Sequence, residues 1–431
     1  MRFRQRLVLT LCLFALSALA WSSAADVGPT YAIRNAKIVT VSGPIFEKGT
    51  IIIRNGLIEA IGPAEKTAVP EDAEVIEAEG LCAYPGLISA HTNLLLEEPQ
   101  APAPGQGTAR LAMGQTTAPP LDPKDALEPW PYRLLKPKKA TLDNFLKAGF
   151  TTVLVAPNRG IFQGQSVIVD LNGEAPESMV LKHLAALHIN LTTNRGGGYP
   201  SSLMGTIAYI RQSFMDADYY ANAQAVYAKN VKGMKRPEFD PFLEALVPYI
   251  RDKKPVIIQC NNAEDIKRAI KIVEEFKLNA MLSHANEAWR DAAGLKKTPL
   301  PLLVTLDFRP PAGSQYITQG EDLRKKAEAE IYPANPANLA KEGIAFALTT
   351  LGLSDGSAAL KNIQSAIKAG LPKEVALKSL TLQPAQYLGL SAQVGSLEPG
   401  KIANILLTKG ELFDEKTQVD KVFVDGVLWK F

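Results

Sequence analysis

From Tyr31 to Gly62 the chain reads YAIRNAKIVTVSGPIFEKGTIIIRNGLIEAIG, an alternation of apolar and polar residues broken at Asn55-Gly56. Period-two alternation around an Asn-Gly pair predicts antiparallel strands joined by a tight hairpin. The same pattern returns near the C-terminus as ANILLTKG and KVFVDGVLW, with Asp425-Gly426 as a second turn. Two β-rich ends around a long middle predict one discontinuous β-domain, built from residues 28 to 84 and 388 to 431.

The middle has a different period. Short buried-type strands, TTVLVAP (Thr151 to Pro157), PVIIQC (Pro255 to Cys260), LPLLVTLD (Leu300 to Asp307) and IAFALTT (Ile344 to Thr350), alternate with amphipathic helical segments. That alternation predicts parallel β/α units. From Asn262 to Lys277, Ile266, Ile270, Val273 and Phe276 fall on one helical face, with Asn262 as N-cap. A second helix, Ser357 to Ala369, buries Leu360, Ile363 and Ile367 and stops at Gly370, before Pro372 opens the next. Residues 85 to 387 hold enough such units for a (β/α)8 barrel.

The pattern lapses between Glu97 and Lys139, where nine prolines fall between Pro99 and Pro137. This segment predicts a long irregular loop, at the barrel mouth because it follows the strand carrying His91. A lid over a site and a surface insertion packed on itself both fit it.

Before residue 26 the pattern belongs to targeting. Arg2, Arg4 and Arg6 precede an apolar run from Leu7 to Trp21, and small residues follow to Ala25. This is the layout of a cleaved secretory signal over residues 1 to 25, and the run is shorter than the about 20 residues of a membrane span. The expected location is therefore periplasmic or extracellular, with no stable span in the mature chain. The three arginines account for the whole formal charge of +3. A neutral mature chain without basic runs argues against nucleic acid as a partner. Only Cys82 and Cys260 remain beyond the signal, and sequence leaves open whether they pair.

YPGLISAHTN carries the first candidate chemistry, since His91 and Asn93 stand two apart on a strand and share a face. Together with IIIRNGLIEAIG, AGFTTVLVAP, GLPKEVALKSLTLQPAQYLGL and GSLEPGKIANILL, this stretch resembles the amidohydrolase superfamily, nearest its imidazolonepropionase-like branch. The resemblance runs in order over nearly the whole chain. It implies an α/β fold, a (β/α)8 TIM-type barrel with a small β-sandwich domain formed by both chain ends. It also implies a hydrolase of carbon–nitrogen bonds other than peptide bonds. Such enzymes use one or two zinc-type divalent metals and an Asp on the last barrel strand.

Transferred position by position, the family pattern is incomplete. His91 matches the first metal ligand, but Asn93 stands where the second histidine is expected. Gln259 replaces a histidine at the end of PVIIQC, His284 in MLSHANEAW matches a later one, and Leu351 stands in the place of the Asp. Carboxamides are poor zinc ligands and leucine is none. A metal would rest on His91 and His284 alone, weakly bound or not bound. His183 and His188, five apart in LKHLAALHIN, read as helical residues on different faces engaged in ordinary packing.

Three further residues are candidates for a pocket. Asp355 lies just beyond Leu351 and reads mainly as a helix cap. Asp307 ends LLVTLD, where Arg309 offers it an ion-pair partner; Cys260 has no histidine as a sequence neighbour and reads as buried. The loop 158 to 166 and the segment 195 to 220, with Gly196 to Gly198, Arg211 and Gln212, are equally open to ligand contact or to structural turns.

Two functions follow. One is an exported metal-dependent hydrolase with a reduced metal site. The other is a barrel without catalysis that binds a small molecule or supports an active amidohydrolase, as a homo-oligomer or a hetero-oligomer.

Overall fold

The computed structural model describes residues 28–96, 130–173, 175–193, 199–309, 321–353 and 355–431, with the side chains of 321–329 excepted. The leader and most of the Pro-rich loop lie outside the described residues.

Strands β1 (Tyr31–Val39), β2 (Ile45–Arg54), β3 (Leu57–Pro63), β4 (Glu74–Glu77) and β5 (Leu81–Pro85) open the chain, followed by β6 (Leu87–Thr92). After a 3-10 turn at Pro131–Leu134 come α1 (Lys139–Lys147), β7 (Phe150–Val155), β8 (Phe162–Gln165), β9 (Val167–Asp170), α2 (Pro176–Met179), β10 (Val180–Lys182) and β11 (Leu187–Asn190). Next are α3 (Leu203–Lys229), α4 (Pro241–Ile250), β12 (Val256–Cys260), α5 (Ala263–Phe276), β13 (Ala280–His284), α6 (Ala292–Lys297), β14 (Leu302–Thr305), α7 (Glu321–Lys341) and β15 (Phe346–Thr349). The chain closes with α8 (Gly356–Lys368), α9 (Lys373–Ser379), α10 (Leu382–Leu388), β16 (Ile405–Lys409), β17 (Gln418–Val424) and β18 (Val427–Lys430).

Both ends of the chain enter one eight-stranded sheet of order β18-β17-β16-β5-β1-β2-β3, with β4 also on β1. The hairpin turns are set by residues that tolerate positive φ: Asn55 and Gly56 at 52° and 77°, Asp425 and Gly426 at 52° and 73°. The two tips touch, since a Cβ on Gly426 would come within 2.5 Å of the Gly56 backbone. The sheet thereby folds over a core of Ile33, Ile38, Ile51, Ile53, Ile405, Leu407 and Phe423.

The middle of the chain forms two further sheets, β10-β9-β7-β6 and β15-β14-β13-β12-β11-β8. Strands β11 to β15 pair in parallel, as do β6 and β7. Strict β/α alternation fails after β7. The chain turns back there without a helix, and β8 and β9 run antiparallel to β11 and β7 respectively. The segment 158 to 166 thus supplies a strand as well as a turn. The two arcs adjoin at their edges: Ser166 exchanges backbone hydrogen bonds with Ala185 and Ala186, and the Thr350 N–H donates to Ser89 Oγ at 3.1 Å.

Alternate residues of these strands feed two cores, as the period of a strand requires. Ile257, Met281, Leu303 and Ala347 join Ile88, Leu154 and Ile168 in a smaller one that Ala385 and Leu388 of α10 complete. Val256, Leu282, Val304 and Leu348 face the helices in the larger. Helix α5 begins where the Asn262 side chain accepts from the Asp265 N–H and ends at Lys277 with φ 52°. Helix α8 begins at Asp355, which accepts from the Ala358 N–H.

Candidate functional site

The C-terminal ends of the parallel strands carry polar side chains above the smaller core. His91, near the end of β6, is fully buried, at a point where the register of β6 against β7 shifts between Ser89 and Thr92. Its Nδ1 lies 2.8 Å from Ser283 Oγ on β13, and its Nε2 has no hydrogen-bond partner. The ring of His188 lies 4.6 Å from it, centroid to centroid, tilted by 57°. His188 is also fully buried, with neither nitrogen hydrogen-bonded.

His188 stands on a strand. The segment LKHLAALHIN divides at Leu184, where φ is 52°, into β10 and β11, so the helical interpretation of its two histidines is corrected. His183 lies apart, stacked on Trp130 at 4.9 Å. Only His188 reaches the strand ends beside His91. The sequence pattern placed it in ordinary packing, although the i and i+2 positions of His188 and Asn190 in LHIN carried the same signal as His91 and Asn93.

His284 ends β13 with φ 70°, and Ala285 follows at 41°. Two non-glycine residues in the left-handed region store backbone strain of about 1–3 kcal/mol each, a feature that clusters at functional sites. His284 is half-buried as a residue, and its Nδ1 is buried without a partner. Burial keeps all three imidazoles neutral. It drives His91 down to about 3, with the nearby His284 adding to the effect, and His188 well below the ordinary histidine value. His284 falls to about 4, where Asp307 offsets a part of the burial.

Asp307 accepts two hydrogen bonds from Arg309, from Nε and Nη2, both at 2.7 Å. The Arg309 guanidinium also donates to the Gly352 carbonyl. The carboxylate is thus held in a fork-to-fork ion pair. Leu351 is buried, and its carbonyl accepts from Thr305 Oγ1 at 2.9 Å. Asn93 lines a cavity of about 630 Å³ with Leu94, Asn158, Asp307, Arg309 and Asn362. Cys260 is fully buried, and burial, with Asp265 nearby, pushes its thiol well above the ordinary value, so it is held as an unreactive thiol. Cys82 and Cys260 are both free. Arg211 reaches away from the strand ends to Glu275 on α5, at 2.7 Å.

Gln259 joins a run of carboxamides. Gln163 Nε2 donates to Asn158 Oδ1 at 2.9 Å and to Gln259 Oε1 at 3.5 Å. Gln259 Nε2 donates to Asn261 Oδ1 at 3.2 Å, and Asn261 Nδ2 to Asn190 Oδ1 at 3.5 Å. Gln163, Asn190 and Asn261 were not singled out in the sequence, because isolated amides carry no motif.

A catalytic zinc takes three protein ligands and one open position. Among the described residues no three His, Cys, Asp or Glu side chains form a group that could hold a metal ion. The side chains present do not fit that group, and no chemical step is derived through one.

Comparison with known proteins fixes the class. Residues 316–428 match the model of the Amidohydrolase family. An amidohydrolase structure from Thermotoga maritima MSB8 superimposes with a TM-score of 0.76 and 26% identity, covering 93% of this chain and 100% of that one. Amidohydrolase tasK of Hapsidospora irregularis is 24% identical over 88% of this chain and 39% of its own length. Imidazolonepropionase of Bacillus cytotoxicus is 28% identical over 33% of this chain and 36% of its own. The chain thus spans well under two thirds of either curated relative. The fold is α/β with mixed sheets, similar to that of the Thermotoga maritima amidohydrolase. The chain belongs to the amidohydrolase superfamily and resembles its hydrolases of carbon–nitrogen bonds. That family binds divalent metals as a rule. No helix among the described residues is long and apolar enough to cross a membrane.

Proposed function

We propose that this chain is an exported amidohydrolase-fold protein that binds a small molecule at the ends of its parallel strands without metal-dependent hydrolysis. We take the two central arcs as one barrel wall, with the mouth at those ends and the sheet from both chain ends as a separate β-domain. The observation that carries the reading is the donor set. Where the family pattern asks for imidazole and carboxylate, this chain presents Asn93, Gln259 and Leu351, and the neighbouring carboxylate of Asp307 is tied to Arg309. The two carboxamides hydrogen-bond a ligand well and hold a zinc ion badly, and the leucine offers a metal nothing.

One observation favours hydrolysis instead. His91 Nε2, both His188 nitrogens and His284 Nδ1 are buried without partners, and neutral imidazole is the form that ligates. Metal analysis of the purified mature protein decides between the two, with His91→Ala and His284→Ala alongside. Folded, metal-free protein that resists reconstitution supports ligand binding. Stoichiometric zinc lost in both variants overturns it. A supporting role for an active amidohydrolase predicts that such a partner copurifies from the native host.

A further inference from the structure

The five linked carboxamides come from four consecutive places around the strand ends: Asn158 after β7, Gln163 on β8, Asn190 on β11, and Gln259 with Asn261 at and after β12. Three of their four links are 3.2 to 3.5 Å long, so the amides hold one another loosely. Gln163 is almost fully buried, and its Oε1 has no donor at all. A buried amide oxygen without a donor costs about 1–3 kcal/mol and marks a place where a hydrogen-bonding group is missing. Asn158 belongs both to this run and to the cavity that Asn93, Asp307, Arg309 and Asn362 line, so run and cavity meet at that residue.

The chemistry of this lining selects its ligand. Each carboxamide offers one acceptor oxygen and two donor hydrogens. Asp307 and Arg309 neutralise each other, which leaves no unpaired charge among the described lining residues to meet an ion. A charged ligand would lose its hydration without gaining a counter-charge. Among the described residues, apolar groups in the lining are few, Leu94, Leu353 and Ala358, and no aromatic ring offers a stacking face. A hydroxyl both donates and accepts, so a molecule with several of them satisfies a mixed lining of this kind.

Resting on the ligand-binding reading above, we propose that the carboxamide run and the adjoining cavity form a subsite for an uncharged polyhydroxylated molecule, a monosaccharide or cyclic polyol. The run supplies paired donors and acceptors to adjacent hydroxyls, and Gln163 Oε1 accepts a hydrogen bond from one of them.

The test is saturation-transfer NMR and calorimetry on the full mature protein with D-glucose, N-acetylglucosamine, myo-inositol, glucose 6-phosphate, citrate and hydantoin. Binding of a neutral polyol that weakens by about tenfold in Gln163→Leu or Asn158→Ala, and not in Asp355→Ala, supports the subsite. Asn158→Ala keeps the test valid where the buried Gln163→Leu fails to fold. Binding of only citrate, glucose 6-phosphate or hydantoin, lost in the same variants, overturns the ligand class and leaves the ligand-binding reading standing. Absence of binding by every neutral polyol also overturns the class. Zinc-dependent turnover of hydantoin overturns the reading beneath it.

Discussion

His188 packs its buried ring against that of His91 at 4.6 Å, and neither of its nitrogens has a hydrogen-bond partner. Both rings are neutral in the fold and become charged when the chain unfolds in acid. A basic group whose folded pKa is depressed contributes stability that is complete above its unfolded pKa, about 6.5, and is lost as pH falls toward its folded value. For His91 that window runs from 6.5 down to about 3.

The predicted variant is His188→Phe, which keeps a flat ring and removes one titrating group. Urea midpoints at pH 7 should lie close to those of the parent, and the loss of stability between pH 6.5 and pH 5 should be shallower. Each proton removed from the balance changes the slope by at most about 1.4 kcal/mol per pH unit. An unchanged slope would show that the buried pair does not govern acid stability.

Asp355 tests capping against chemistry. Its side chain accepts from the Ala358 N–H at 2.8 Å at the start of α8. Asp355→Ala is expected to cost about 1 kcal/mol, read as a lower thermal midpoint, and to leave ligand affinity at the strand ends intact. A drop in affinity with unchanged stability would move Asp355 into the site.

These two residues show what the sequence could reveal and where it stopped. Asn55-Gly56, Asp425-Gly426, Asn262 and Asp355 act locally, through φ preferences and side-chain caps, so each was legible from a few neighbours. The β12 to β15 strands were legible because each is a short apolar run between helical periods. What failed was the segment 158 to 190, where β8 and β9 turn back without a helix and Leu184 splits two short strands. Its strand character depends on long-range partners, β7 and β11, that no window contains. The amides Gln163, Asn190 and Asn261 went unseen, and His188 was read as a packing residue, for the same reason, since their chemistry arises only where four strand ends meet.

Gly352 shapes the wall of the cavity. Its φ is 89°, and a Cβ there would strike the Asp307 carboxylate. Gly352→Ala therefore combines an unfavourable backbone with displacement of the carboxylate that Arg309 holds. The expected result is a destabilisation of about 1–3 kcal/mol in denaturant titration, together with weaker binding of any ligand in the cavity. Unaltered stability would mean that the loop after β15 relaxes freely around this residue.

Asp170 gives the opposite pH dependence from the histidines. Its carboxyl is buried between β7 and β9 and the segment leading into β16, where it accepts from Thr152 Oγ1 at 2.5 Å and Asn404 Nδ2 at 2.9 Å. Burial raises it to about 7; the two hydrogen bonds pull it down and Asp425 pushes it up. Between its ordinary 3.8 and about 7 the folded chain keeps a proton that the unfolded chain has released. Stability from this group is therefore complete below about pH 4, falls as pH rises to about 7, and is constant above that. Asp170→Asn retains an acceptor for both hydrogen bonds and cannot ionise. Its stability relative to the parent should rise from pH 5 to pH 8 in parallel urea titrations, and a difference that stays flat with pH would refute the assignment. Asn404 Oδ1 also accepts from the Asp425 N–H at 2.8 Å, so the same carboxyl couples the central strands to the β17–β18 hairpin. Ionisation at Asp170 should therefore loosen that junction first, read as faster amide exchange at Asp425 above pH 7 than the intrinsic pH dependence accounts for.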